Sequence, residues 1–84
     1  MDVGTLVTIK NLPPKEDGTP VDYVHFALYP SESGARTQDM KSKVGEIGTV
    51  VMTRETSAGV QWCMVHMRTG TSGWLPSDEV ETMI

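Results

Sequence analysis

Eighty-four residues are enough for one small domain, and a chain of this size buries only about 60% of the surface its unfolded form exposes. Eleven acidic against seven basic residues give a formal net charge of −4, which disfavours sequence-independent nucleic-acid binding, because that needs Lys and Arg to displace counterions from phosphates. The single cysteine, Cys63, excludes an internal disulfide, and no apolar run approaches the roughly 18 residues that span a bilayer.

Residues 4–10 are β-branched and partly alternating, which predicts a first strand with Val7 and Ile9 on one face. Residues 11–20 hold Pro13, Pro14, Gly18 and Pro20 and read as a loop. Residues 21–29 are apolar, aromatic and β-branched, a second strand candidate that Pro30 either stops or places at a sheet edge. Residues 31–43 are polar with Gly34 inside, a long loop or an irregular hairpin, and long loops in small domains are often binding loops. Residues 45–53 turn into a strand, and Ser57-Ala58-Gly59 makes a turn. A strand over 60–68, a turn over 70–73 and a short strand over 73–75 follow. Pro76-Ser77-Asp78-Glu79 fits a single 3₁₀ turn before a last strand at 80–82. No window carries apolar residues at helical spacing. Five or six short strands with glycine-bearing turns imply a small antiparallel barrel or sandwich, with 1–84 as one domain. Val7, Ile9, Ala27, Val50, Val65, Leu75 and Val80 are the expected core.

Catalytic chemistry finds little support. Cys63 would need a positioned base, and His66, three residues along a strand, points to the opposite face. Cys63, His66 and His25 are the only soft metal ligands and show no paired spacing, whereas structural zinc wants four. The expectation is therefore no catalytic residue, no metal and no cofactor. Met64 and Met67 lie on opposite faces, so at most one enters the core. Asp78, Glu79 and Glu81 gather acidity near the end, as a solvated rim or a docking face for a basic partner. A lone cysteine suits a reducing compartment, and Met1-Asp2-Val3-Gly4 lacks the regions of a signal peptide. The expected location is cytoplasmic or otherwise intracellular.

Several segments resemble Src-homology-3 domains. Ala27-Leu28-Tyr29-Pro30-Ser31-Glu32-Ser33 looks like the segment that opens those domains, and Arg36-Thr37-Gln38-Asp39-Met40 like the tip and return of their RT loop. Lys43-Val44-Gly45-Glu46 is similar to their diverging turn, Trp62-Cys63 to their paired-tryptophan position, and Gly73-Trp74-Leu75-Pro76-Ser77-Asp78-Glu79-Val80 to their ending. The likeness implies a Src-homology-3-like barrel and a shallow aromatic groove for Pro-rich peptides. Carried over by position, Tyr29, Trp62 and Pro76 would wall the groove, with Glu32 and Asp39 as partners for a ligand arginine. Tyr29 and Tyr23 would widen the patch around Trp62 and Trp74. Two groove tyrosines are replaced, by Ser31 and Glu79, so Pro-rich peptides are expected to bind poorly or not at all.

A related group is similar in other positions. Gly45-Glu46-Ile47-Gly48-Thr49-Val50, the opening residues 1–9 and the closing Pro76-Ser77-Asp78-Glu79-Val80 resemble the barrels of the photosystem I accessory subunit and of the variable chain of ferredoxin–thioredoxin reductase. Ribosomal and transcriptional KOW barrels share the glycine pattern but carry basic surfaces. The accessory-subunit likeness implies that strand one is residues 4–10 and that 11–43 form an enlarged first loop. It also implies docking on a redox enzyme complex. The expected function is non-catalytic protein–protein interaction through Tyr29, Trp62, Trp74 and Pro76. An accessory subunit is the alternative, and nucleic-acid binding ranks last.

Overall fold

The computed structural model describes residues 2–31, 35–37 and 39–83. It is all-β, with seven strands and one 3₁₀ turn among the described residues. The strands are β1 (Leu6–Ile9), β2 (Tyr23–His25), β3 (Lys41–Lys43), β4 (Ile47–Glu55), β5 (Gln61–Met67), β6 (Ser72–Pro76) and β7 (Val80–Thr82). The 3₁₀ turn, Ser77–Glu79, sits between β6 and β7. Five strands form one sheet in the order β6-β5-β4-β1-β7, and β2 pairs with β3 in a separate ribbon. All pairings are antiparallel. No helix among the described residues is long and apolar enough to cross a membrane.

Tight turns drive this topology. The β4–β5 hairpin closes with Thr56 N–H on Val60 O and Gly59 N–H on Thr56 O. The β5–β6 hairpin repeats the device, with Met67 N–H on Thr71 O and Gly70 N–H on Met67 O. In both, a glycine with positive φ (86° and 100°) takes the left-handed position that closes a three-residue hairpin loop.

β1 settles where the sheet begins. Leu6, Val7 and Thr8 pair with Thr49, Gly48 and Ile47 of β4, while Val7, Thr8 and Ile9 pair with Thr82, Glu81 and Val80 of β7. The first strand of the sheet therefore lies at Leu6–Ile9, and Ala27 belongs to the intervening segment. The apolar run 21–29 yields only the three residues of β2, plus one bridge between Ala27 and Trp74. A longer strand is blocked because Phe26 turns its backbone to two partners: its N–H donates to Met40 O and its carbonyl accepts from Thr37 N–H.

The core holds Val7, Ile9, Val24, Val50, Cys63, Val65, Met67, Leu75 and Val80 from the strands, and Phe26 from just past β2. All seven residues expected to be buried are buried, although Ala27 packs in a second, smaller cluster with Trp62 and Trp74. Met67 takes the core side of β5 and Met64 packs against that second cluster. Gly48 leaves room for its neighbours: a Cβ there would meet Val65 Cγ1 at 2.6 Å and Met67 Sδ at 2.7 Å. The far half of β4, from Val51 to Glu55, is exposed and leaves the core after a bulge between Val50 and Met52.

Candidate functional site

The period of two places Trp62 and Met64 on one face of β5, and Cys63, Val65 and Met67 on the other. Register then opposes Trp62 to Pro76 and Met64 to Trp74 on β6. These four residues form a block on the face away from the main core. The chain after β2 folds across it. Ala27 N–H donates to Trp74 O at 2.9 Å and Trp74 N–H donates to Ala27 O at 3.0 Å, which fixes Ala27 beside the indoles.

The consequence corrects the sequence expectation. Trp62 is 3% exposed and Trp74 7%, so neither displays a free indole to a partner. Ala27 packs with both rings, and Arg36 from the loop after β2 lies over Trp62. Arg36 Nη1 donates to Glu79 Oε1 at 3.0 Å and to His25 O at 2.8 Å, and Nη2 donates to Glu79 Oε2 at 2.7 Å. Its guanidinium carbon stands 5.7 Å from the centroid of the Trp62 ring. A planar fork suits this double duty, pairing with a carboxylate edge-on while facing an aromatic ring. The ion pair is half-sheltered, with side chains 27% and 19% exposed.

Closure has a cost. Trp62 Nε1 and Thr37 Oγ1 are buried and lack hydrogen-bond partners among the described residues. Each such group forfeits roughly 1–3 kcal/mol of hydration. Sequence reasoning missed Arg36 as a functional residue. The available signal was Glu79 itself, a carboxylate standing where an aromatic wall was expected. Once near a buried indole it needs a cationic partner.

The other expected site residues scatter. Tyr29 is 67% exposed and Asp39 is exposed, whereas Trp62 is covered. Pro76 is half-buried opposite Trp62, and Glu32 lies outside the described residues. Leu28, next to Tyr29, is 66% exposed. Tyr23 does not widen the indole face. It stands on the ribbon under Lys41 Nζ, 4.8 Å from its ring centroid, and lines an open cleft of about 640 Å³ with Leu12, Pro14, Pro20, Asp22 and Lys43.

Cys63 is 1% exposed, with its thiol 3.6 Å from Leu75 O. Burial, reinforced by the Glu79 carboxylate, pushes the thiol up from 9.0 to about 11, so it stays protonated and unreactive near neutrality. His66 lies on the opposite face, exposed, with Nδ1 2.6 Å from Ser72 Oγ. No three His, Cys, Asp or Glu side chains converge as a metal site among the described residues. Comparison of the chain with protein-family models, with curated proteins and with solved structures finds no match.

Proposed function

We propose that this chain is a Src-homology-3-like barrel acting as a non-catalytic protein-recognition module. The sheet order β6-β5-β4-β1-β7, the 3₁₀ turn before the last strand and the Ala27–Trp74 bridge linking ribbon to sheet edge support closure into such a barrel. The recognition element is the Leu28–Tyr29 pair. One observation carries this reading. Two consecutive large apolar side chains stand about two-thirds exposed on backbone pinned beside them by Ala27–Trp74 and Phe26–Thr37 hydrogen bonds. Anchors presented on a fixed backbone lose little freedom on binding. A shielded thiol facing away from the nearest imidazole argues against an enzyme, and the net charge of −4 argues against nucleic acid.

Pull-down from cell extract with mass spectrometry tests the module. Wild-type chain is expected to retain a specific protein that the Leu28→Ser/Tyr29→Ser variant loses. Equal capture by both would end the assignment to this loop.

One observation favours the accessory-subunit form of the same reading. The sheet starts at β1 and the 11–43 segment is an elaborated first connection, as in the accessory barrels that the sequence resembles. Size-exclusion chromatography of native extract separates the two, because an accessory subunit elutes with one large complex and a free adaptor does not.

A further inference from the structure

We propose that Arg36 is a latch that holds the Trp62 face closed and can release it without unfolding the barrel. The latch is one side chain. Its guanidinium alone joins three acceptors, Glu79 Oε1, Glu79 Oε2 and His25 O, while lying over the indole. Glu79 belongs to the 3₁₀ turn and Arg36 to the loop after β2, forty-three residues earlier in the chain. No strand pairing among the described residues links these two segments, and the ion pair joins them.

The backbone on each side of the latch is held independently. Ala27 is bonded in both directions to Trp74, and Thr37 N–H is bonded to Phe26 O at 2.8 Å. Arg36 can therefore swing away by side-chain rotation while these anchors stay. The closed state also carries a built-in penalty. Trp62 Nε1 and Thr37 Oγ1, the latter on the residue next to Arg36, are both buried without partners among the described residues. The ion pair favours the closed state, and the unpartnered Trp62 Nε1 weighs against it.

Opening would add the Trp62 indole to the surface beside the Leu28–Tyr29 loop. That last step rests on the recognition-module reading, whereas the latch itself stands without it. A partner then meets a different surface according to whether Arg36 is engaged.

Hydrogen exchange of the two indole N–H groups, followed by NMR on the full chain, tests the latch. Trp74 serves as the internal reference. Arg36→Ala is expected to speed exchange at Trp62 several-fold and leave Trp74 unchanged. Arg36→Lys, which keeps the charge but loses the fork, and Glu79→Gln, which keeps the shape but loses the charge, are expected to fall between. These two milder variants decide the matter if Arg36→Ala does not fold. Unchanged exchange at Trp62 in the folded variants, or equal acceleration at both indoles, overturns the proposal. Neither result touches the partner capture by Leu28 and Tyr29, so failure of one idea is distinguishable from failure of the other.

Discussion

The two buried clusters of this small fold are buried for different reasons. The inner one collects Val24 and Phe26 from the β2 segment and the inward side chains of β1, β4, β5, β6 and β7. Its one weakly polar group, the Cys63 thiol, reaches a carbonyl. Strand alternation accounts for the members on β1, β4, β5, β6 and β7, while Phe26, just past β2, is held by its backbone bonds to Met40 and Thr37. The outer cluster of Ala27, Trp62 and Trp74 lies where a sheet of this size would ordinarily meet water. Ala27, outside the strands, bridges to Trp74 there, and the Arg36 guanidinium lies over Trp62. Burial by alternation is a property of the fold, whereas burial by a loop is conditional, and conditional burial is where function can be sited.

The sharpest way to break the comparison is to empty the inner cluster. Phe26 is fully buried and is among the largest fully buried side chains. Phe26→Ala is expected to destabilise the chain by about 3–5 kcal/mol, read from the urea midpoint, because so small a core cannot collapse around the gap. The matching removal in the outer cluster, Arg36→Ala, should leave the fold cooperative and act mainly on the exposure of Trp62. A larger loss of stability from Arg36→Ala than from Phe26→Ala would invert the hierarchy.

A second substitution asks the inner cluster to take an extra atom. Gly73 on β6 lies against Phe26, and a Cβ at position 73 would meet Phe26 Cγ at 2.8 Å. The flexible end of a side chain could yield, but here the clash is at the root of the ring. Gly73→Ala is expected to cost about 1–3 kcal/mol by overpacking. A neutral result would mean that Phe26 is free to shift, and the inner cluster would then be less fixed than its burial implies.

The inner cluster was largely legible from the chain. Val7, Ile9, Val50, Val65, Leu75 and Val80 fall on the buried phase of short β-branched strands, and period-two alternation finds them directly. The 3₁₀ turn and β7 followed from Pro76 and the polar triplet after it. Phe26 was missed because the run 21–29 has no clear alternation: apolar residues occupy both phases, and only backbone bonds to Met40 and Thr37 decide which side faces in. The outer cluster was misread. Trp62 and Trp74 were expected on an exposed face, but both are buried, Trp62 beneath a guanidinium whose carboxylate partner lies 43 positions away. No local pattern records such a contact. β1 was legible as a strand, while its place beside β4 and β7 needed the pairing register itself.

The Cys63 thiol reports on the inner cluster by pH. Its value is raised from 9.0 to about 11 in the folded chain, first by loss of hydration. The folded state therefore holds this proton more tightly than the unfolded one. Its contribution to stability is complete below pH 9 and is lost as the pH climbs from 9 toward 11. Urea midpoints measured across that window are expected to fall, and Cys63→Ala is expected to flatten this part of the decline. Alkylation of the native thiol at pH 8 should be far slower than in the urea-unfolded chain. Equal rates would place Cys63 at the surface and undo the assignment of β5 faces.

The smallest expected effect on stability belongs to the residues given the largest role in recognition. Leu28 and Tyr29 project into solvent, so Leu28→Ser/Tyr29→Ser removes little native packing and should shift stability by no more than about 0.5 kcal/mol. The same variant is expected to abolish partner capture. That dissociation is what a binding loop predicts and a structural one does not. If these substitutions lower the melting temperature as far as a core change does, then the loop is part of the packing that buries Trp62. The line between the conditional cluster and the surface that uses it would then have to be redrawn to include Leu28 and Tyr29.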